Sequence, residues 1–500
     1  MHVLYAQAVD KAGNGYALSS YTFSVPWQLG ATPTAITPVA AAAHTSVPLT
    51  VLGTKLASDD HVALTREDGS LPVLAMVLGL NADGSLSTLL DLPETTPTGV
   101  WNVTVTASNG NTSTLFGAFT VNPAPDEAAF VGLAPSRVLD TRSGVGAPKA
   151  AVRAGQHVSL SVLGHGGVPS SGVSAVVLNV TATRATAASY ATVYPDGIKV
   201  PVASNLNFVA GETIANLVTV RVGADGKVDL YNSAGSVDLL ADVAGYYTTN
   251  APGARFVGLA PSRVLDTRSG VGAPKAAVRA GQHVSLSVLG HGRVPSSGVS
   301  AVVLNVTATR ATAASYATVY PDGIKVPVAS NLNFVAGETI ANLVTVRVGA
   351  DGKVDLYNSA GSVDLLADVA GYYTTGALGG GKFVSTSPIR MLDTRFGTGA
   401  PTAAVGPGQI LHLKVREQSG VPSDVTAVLF NVTAVSGTAS SYITVFPDGT
   451  SLPKASNLNF TPRQTIPNLV TVPVVNGSVD FYNRTGSVQL IADLAGYYVS

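Results

Sequence analysis

Cysteine is absent from the 500 residues, which excludes disulfide scaffolds, cysteine-based zinc sites and thiol nucleophiles without fixing the compartment. Charge is also scarce, at 12% of the chain against about 25% in ordinary globular proteins. The 29 Lys+Arg and 30 Asp+Glu leave a net charge of −1, so there is neither a basic nucleic-acid footprint nor an acidic tail. No apolar run approaches the ~18 residues that a membrane helix needs. What is present is 46% apolar residues, enough for sizeable cores, with 52 Gly, 29 Pro and abundant Val, Thr, Ala and Ser. That composition suggests short strands joined by turns.

An internal repeat dominates the organisation. Residues 130–249 recur as 256–375 with a single difference, Gly167 against Arg293, and a more divergent copy occupies 383–500. The third copy keeps Arg390, Asp393 and Arg395, Asn431, Asn457 and Asn459, Tyr482 and Asn483, and Asp493 and Tyr497. At about 120 residues, each unit is too long for a solenoid repeat and fits a self-contained domain, three of them strung as beads. The short connections from Thr248 to Arg255 and from Thr374 to Lys382 would allow modest hinging.

Each module reads as strands throughout. Val158, Leu160 and Val162 alternate with Ser159 and Ser161, and Asn216 to Val222 repeats the period-2 pattern of half-buried strands. Gly223-Ala224-Asp225-Gly226, its counterpart Asn476-Gly477, and Pro195-Asp196-Gly197 are turns, because these residues tolerate positive φ or preset it. No segment carries a 3.6-residue stripe. The expected class is all-β, with tandem β-sandwich or jelly-roll modules of about eight or nine strands.

The first 125 residues differ. Ala35-Ile36-Thr37-Pro38, Val47 to Thr54, Thr98 to Thr106 and Phe119-Thr120-Val121 resemble the IPT/TIG branch of immunoglobulin-like folds, which implies an Ig-like domain over 31–123. Residues 1–26, with Leu4 to Asn14 and Tyr21 to Val25, resemble the last two strands of a bacterial Ig-like domain. Two strands leave their apolar faces uncovered, so the chain reads as a fragment of a longer protein. The repeated module, with Arg-x-Leu-Asp-Thr-Arg near its start and Asp-Val-Ala-Gly-Tyr-Tyr at its end, resembles domains found in tandem at the C-terminal ends of actinobacterial secreted and surface proteins. That resemblance implies an extracellular or cell-surface location and attachment to polysaccharide, and it carries no enzymatic activity with it.

The chemistry points the same way. His157 and His165 recur as His283 and His291, but the third copy has Ile410 in place of His157, and its only histidine, His412, stands where Ser159 would. A Ser/His/Asp relay therefore cannot run in every module. The carboxylates Asp140, Asp196, Asp229 and Asp242 recur as Asp393, Asp448, Asp480 and Asp493, yet a turn explains Asp196 and ion pairing explains the others more simply than glycosidase chemistry does. The modules are therefore expected to be non-enzymatic. With no Asp-x-Asp-x-Asp-Gly loop and isolated histidines, neither a metal nor a cofactor is expected.

Two groups remain as candidate sites. In an extended strand Asp140 and Arg142 share a face and Arg137 takes the other. The structural expectation is an ion-pair network pinning the first strand near the last: Asp140, Arg142 and Asp242, then Asp266, Arg268 and Asp368, then Asp393, Arg395 and Asp493. The functional alternative makes Arg142, Arg268 and Arg395 forks for an anionic wall polymer. In the second group, Asn205 and Asn207 flank Leu206 on one strand face, beside Tyr190 and Tyr231. Amides and rings together are ingredients of sugar recognition. The matching sets are Asn331, Asn333, Tyr316 and Tyr357, and Asn457, Asn459, Tyr442 and Tyr482. The partners so implied are a glycan, a cell-wall polymer or a surface protein, bound multivalently. A purely structural stalk, or the accessory region of a secreted hydrolase, are the alternatives.

Overall fold

A computed structural model describes residues 2–6, 19–23, 31–42, 45–68, 70–93, 96–122, 127–249, 253–375 and 379–500. Every regular element among them is a strand, and no helix is long and apolar enough to cross a membrane. The chain divides into two compact units, Met1–Pro125 and Asp126–Ser500.

In the first unit, His2–Ala6 and Ser19–Phe23 form a two-stranded antiparallel ladder, while the intervening Asp10 to Asn14 of the expected Ig-like tail lie outside the described residues. The rest is one hydrogen-bonded path running from Thr32–Thr37 through six further strands to Ala40–Ala42, which pairs parallel with Thr112–Asn122. Alternate residues of Leu86–Leu92 and Gly99–Thr106 turn inward around the buried Trp101 and Phe119.

The second unit holds the three modules, and each is a β-sandwich. In the first module one five-stranded antiparallel sheet runs Ala129–Asp140, Ser236–Thr248, Val173–Thr183, Ile214–Arg221, with the short Val152–Arg153 paired to the start of Ser236–Thr248. The other runs Gln156–Ser161, Lys227–Asn232, Ser189–Pro195, Leu206–Phe208. Gln156–Ser161, at the edge of this sheet, alternates as a strand with one face in solvent does, with Leu160 buried between the exposed Ser159 and Ser161. Val173–Thr183 and Ser236–Thr248, by contrast, are buried along nearly their whole length. Such strands are covered on both faces. One face packs against the outer sheet, and the other meets the inner sheets of the two remaining modules.

The modules are therefore not beads on a string. Their first strands pair head to tail in a ring: Ala128 with Phe383, Phe130 with Ala254, and Phe256 with Gly381. The connections expected to hinge are tied into this ring by paired backbone hydrogen bonds, such as Phe130 N–H to Ala254 O and Ala254 N–H to Phe130 O, both 2.8 Å. At the centre, Tyr247, Tyr373 and Tyr498 bring their hydroxyls together, with O–O separations of 2.6, 2.8 and 2.8 Å. Each ring stacks on the phenylalanine of another module: Tyr373 on Phe130 at 4.1 Å, Tyr498 on Phe256 at 4.4 Å and Tyr247 on Phe383 at 4.2 Å. A Tyr-Tyr pair closes each module. Both are buried, and the second of each pair forms the axis.

Candidate functional site at the module seams

Around that axis the seams are sealed by asparagines set into otherwise apolar strands. Asn342 Nδ2 donates to Asn179 Oδ1 of the preceding module at 2.9 Å, and its Oδ1 accepts the Leu217 N–H at 3.0 Å. Asn468 repeats this toward Asn305 and Leu343, and Asn216 toward Asn431 and Leu469. Every amide is buried and every seam is closed, so the cycle returns to its start. A buried amide without partners would cost free energy, so this network fixes one arrangement of modules.

Farther out, the first seam opens into a cleft of about 220 Å³. One module contributes Arg137, Arg142 and Thr181, and the next contributes Tyr316, Ser330 and Asn333. The candidate arginine and the candidate Tyr/Asn pair thus meet, though from different modules, which no reading of a single module could show.

The arginines are committed to carboxylates. Arg142 Nε and Nη2 grip Asp140 at 2.9 and 2.7 Å. This holds the Asp140 carboxyl below its ordinary pKa, against the opposing effect of burial, and raises that of Arg142. Arg137 turns Nε and Nη2 to Asp242 and Nη1 to Asp140, the last at 3.3 Å. Asp242 is almost wholly buried, and that desolvation pushes its carboxyl up although Arg137 pulls it down. The same pairs recur around Asp266 and Asp368 with Arg263 and Arg268, and around Asp393 and Asp493 with Arg390 and Arg395. Arg137 was expected on the opposite face from Asp140. A register shift between Arg137 and Leu139 inserts one residue and turns it to the same side. With both guanidiniums facing carboxylates, two positive and two negative charges balance at the cleft, which leaves no fork open for an anion. The arginines also bind across the seams: Arg263 Nη2 donates to Lys454 O at 3.3 Å and Arg390 Nη2 to Val202 O at 3.0 Å.

The asparagine pairs divide. Asn205 was expected to share a face with Asn207, but it precedes the strand Leu206–Phe208, is buried, and accepts the Val193 N–H at 2.7 Å. Asn331 and Asn457 do the same for Val319 and Val445. All three brace their strands from within. Asn207, Asn333 and Asn459 stay partly exposed, each directly opposite its tyrosine, Tyr190, Tyr316 or Tyr442. Tyr316 is 37% exposed, and its ring lies 6.4 Å from that of Tyr357, which is tilted beside it outside the cleft lining. Tyr190 and Tyr231 match this arrangement. In the third copy, Arg484 lies over Tyr442 at 5.5 Å and donates to its hydroxyl, so this tyrosine is capped by a cation where the other two are bare.

Sequence reasoning missed Thr181. It is 2% exposed, lines the cleft, and its hydroxyl has no hydrogen-bond partner within the protein; Thr307 and Thr433 share that property. The available signal was a threonine retained two residues after the seam asparagine in all three copies.

No family model matches the chain, and no curated protein matches it. Several solved structures are distantly similar. One is SGBP-B of the Bacteroides ovatus mixed-linkage glucan utilization locus, in complex with a mixed-linkage heptasaccharide: 11% identity over 74% of this chain and 84% of that one, TM-score 0.16. Another is Salmonella alpha-2-macroglobulin reacted with methylamine, at 13% identity over 93% of this chain and 30% of that one, TM-score 0.17. A third is a tetra-tandem repeat from the extending region of a large adhesion protein, at 14% identity over 93% and 96%, TM-score 0.13. At these TM-scores the likenesses carry no argument about the site.

Proposed function

We propose that the chain is a non-enzymatic, extracellular or cell-surface binding protein whose seams recognise a glycan or cell-wall polysaccharide through neutral sugar units. The observation that carries this reading is the cleft at the first seam, which presents the face of Tyr316 and the amide of Asn333 to a sugar unit. An aromatic ring offers a surface for the apolar face of the same sugar, and the amide pairs with its hydroxyls. The cleft is smaller than the ~300–1,000 Å³ of sites for drug-sized ligands, which fits one ring of a chain better than a free oligosaccharide. The internal charge balance of Arg137, Arg142, Asp140 and Asp242 favours a neutral unit over an anionic one. Where a polymer reaches more than one seam of the ring, avidity adds roughly 10² to 10⁴ in apparent affinity. Modules folded onto one another add little reach, which counts against the pure stalk.

The test is to probe immobilised peptidoglycan and neutral wall polysaccharides with the full chain and with a Tyr316→Ala, Asn333→Ala variant. Both side chains are partly exposed, so the variant should melt close to the parent and should bind at least tenfold more weakly. No binding by the parent, or equal binding by the variant, rejects the reading.

A further inference from the structure

The divergent third module contains a side-chain cluster that its two sisters lack. His412, on the strand Ile410–Lys414, stands directly opposite Asp480 on Ser478–Asn483. Asp480 is in turn opposite Phe446, the penultimate residue of Ser441–Pro447, and the turn that follows delivers Asp448. Three strands thus converge on one point. His412 Nδ1 lies 2.6 Å from Asp480 Oδ1 and 3.4 Å from Asp448 Oδ1, and one donor atom from each residue lies within 4.8 Å of the others. The histidine is not isolated, as its sequence surroundings suggest, because the two carboxylates come from distant stretches of chain.

The sister modules show what this position does without a histidine. There Ser159 Oγ donates to Asp229 Oδ1 at 2.6 Å, Ser285 does the same for Asp355, and the Tyr194 and Tyr320 hydroxyls are also paired with these aspartates. The third module replaces serine by His412 and tyrosine by Phe446. Both hydroxyl donors to the buried aspartate are gone, and an imidazole nitrogen, itself able to coordinate, takes the place of one of them. Asp448 stays in its turn, so the change adds a nitrogen ligand to two oxygens already there.

We infer that His412, Asp448 and Asp480 form a binding site for a single divalent transition cation of the zinc type. One imidazole nitrogen and two carboxylate oxygens suit such a cation better than calcium or magnesium, which take oxygen ligands. Bonds of about 2.0 to 2.2 Å in a tetrahedral arrangement place ligand atoms roughly 3.3 Å apart. The His412–Asp448 separation already matches that spacing, and the His412–Asp480 separation needs to widen by about 0.7 Å. The Asp480 side chain is nearly buried and anchors the site, while His412 is 64% exposed, which leaves the cation open to water or a further ligand.

The experiment is titration of the full chain with zinc by calorimetry and with cobalt by visible absorption, near pH 7.5. One equivalent of each metal per chain is expected, with a cobalt d–d band showing nitrogen and oxygen ligation. His412→Ser installs the residue that the sister modules carry at this position, so it is expected to fold; it should abolish that equivalent. Asp448→Asn should weaken it at least tenfold, and His157→Ser with His283→Ser should leave it intact. Absence of a saturable equivalent in the parent overturns the assignment. So does an equivalent that survives both His412→Ser and Asp448→Asn, or a stoichiometry of two or three that falls with the histidines of the sister modules.

Discussion

Three phenol hydroxyls meeting in a closed triangle form a self-contained hydrogen-bond set, since each donates once and accepts once. Burial pushes the pKa of Tyr373 up to about 12 and those of Tyr247 and Tyr498 well above their ordinary value. An acid whose pKa is raised by folding supports the fold fully below its unfolded value, near 10 for tyrosine, and loses that support as pH climbs through the folded value. The unfolding midpoint should therefore fall between pH 10 and 12, and the fall should flatten in Tyr247→Phe, Tyr373→Phe, Tyr498→Phe, as denaturant titration at each pH can show. At neutral pH, Tyr373→Phe alone strands part of a buried pair and should cost about 1–3 kcal/mol, whereas the triple variant, which removes every partner, should cost far less than three times that. None of this triangle was legible beforehand: the sequence shows Tyr-Tyr at a strand end, but the partners lie in other modules. Asn205 was misjudged for a related reason, because an amide reads the same whether it meets solvent or a backbone N–H.

The strands themselves were the most legible layer. Alternation marked the outer strand Gln156–Ser161, but Asn216 to Val222, which reads the same way, lies on the inner strand Ile214–Arg221 and is buried nearly throughout, because a neighbouring module covers the face that the pattern assigns to solvent. Asp-Gly, Asn-Gly and Pro-Asp-Gly marked turns, because that signal is local. The inner strands carry a weaker signal: Ala175 to Leu178 is an unbroken apolar run, as in a strand covered on both faces, but Ser174, Asn179, Thr181 and Thr183 interrupt the pattern around it. Arg137 defeated the period-2 rule through a single inserted residue. A glycine shows how tightly the strands fit. A Cβ at Gly245 would lie 2.5 Å from the Phe130 ring, and the counterparts Gly371 and Gly496 meet Phe256 and Phe383 at 2.4 and 2.3 Å. Gly245→Ala should therefore displace Phe130 from its stack on Tyr373 and cost about 1–3 kcal/mol as overpacking does, measurable as a lowered midpoint in urea. Phe130→Leu in the same background should recover part of the loss by shortening the clashing ring.

For the whole molecule, the repeat was legible and its assembly was not. Similarity between copies says that the modules share a fold, but contact between them depends on matching surfaces across more than a hundred residues of chain. The asparagine cycle makes that contact cooperative. Asn342→Leu would leave Asn331 O, Asn179 Oδ1 and the Leu217 N–H buried without their partner, a cost of about 3 kcal/mol or more. Although the substitution lies in the middle module, calorimetry should show all three modules melting in one transition at a lower temperature. Separate transitions, with only one displaced, would mean that the seams do not couple them.

A ring assembled from three separate identical chains must carry any substitution three times, at every equivalent position. Joining the three positions in one chain removes that obligation. His412, Phe446 and Arg484 each occur at one position only, and the ring that contains them still closes. The connecting segments thus do more than hold the modules near one another. They give each third of the ring its own address, so that one face can acquire a new chemistry while the other two continue unchanged.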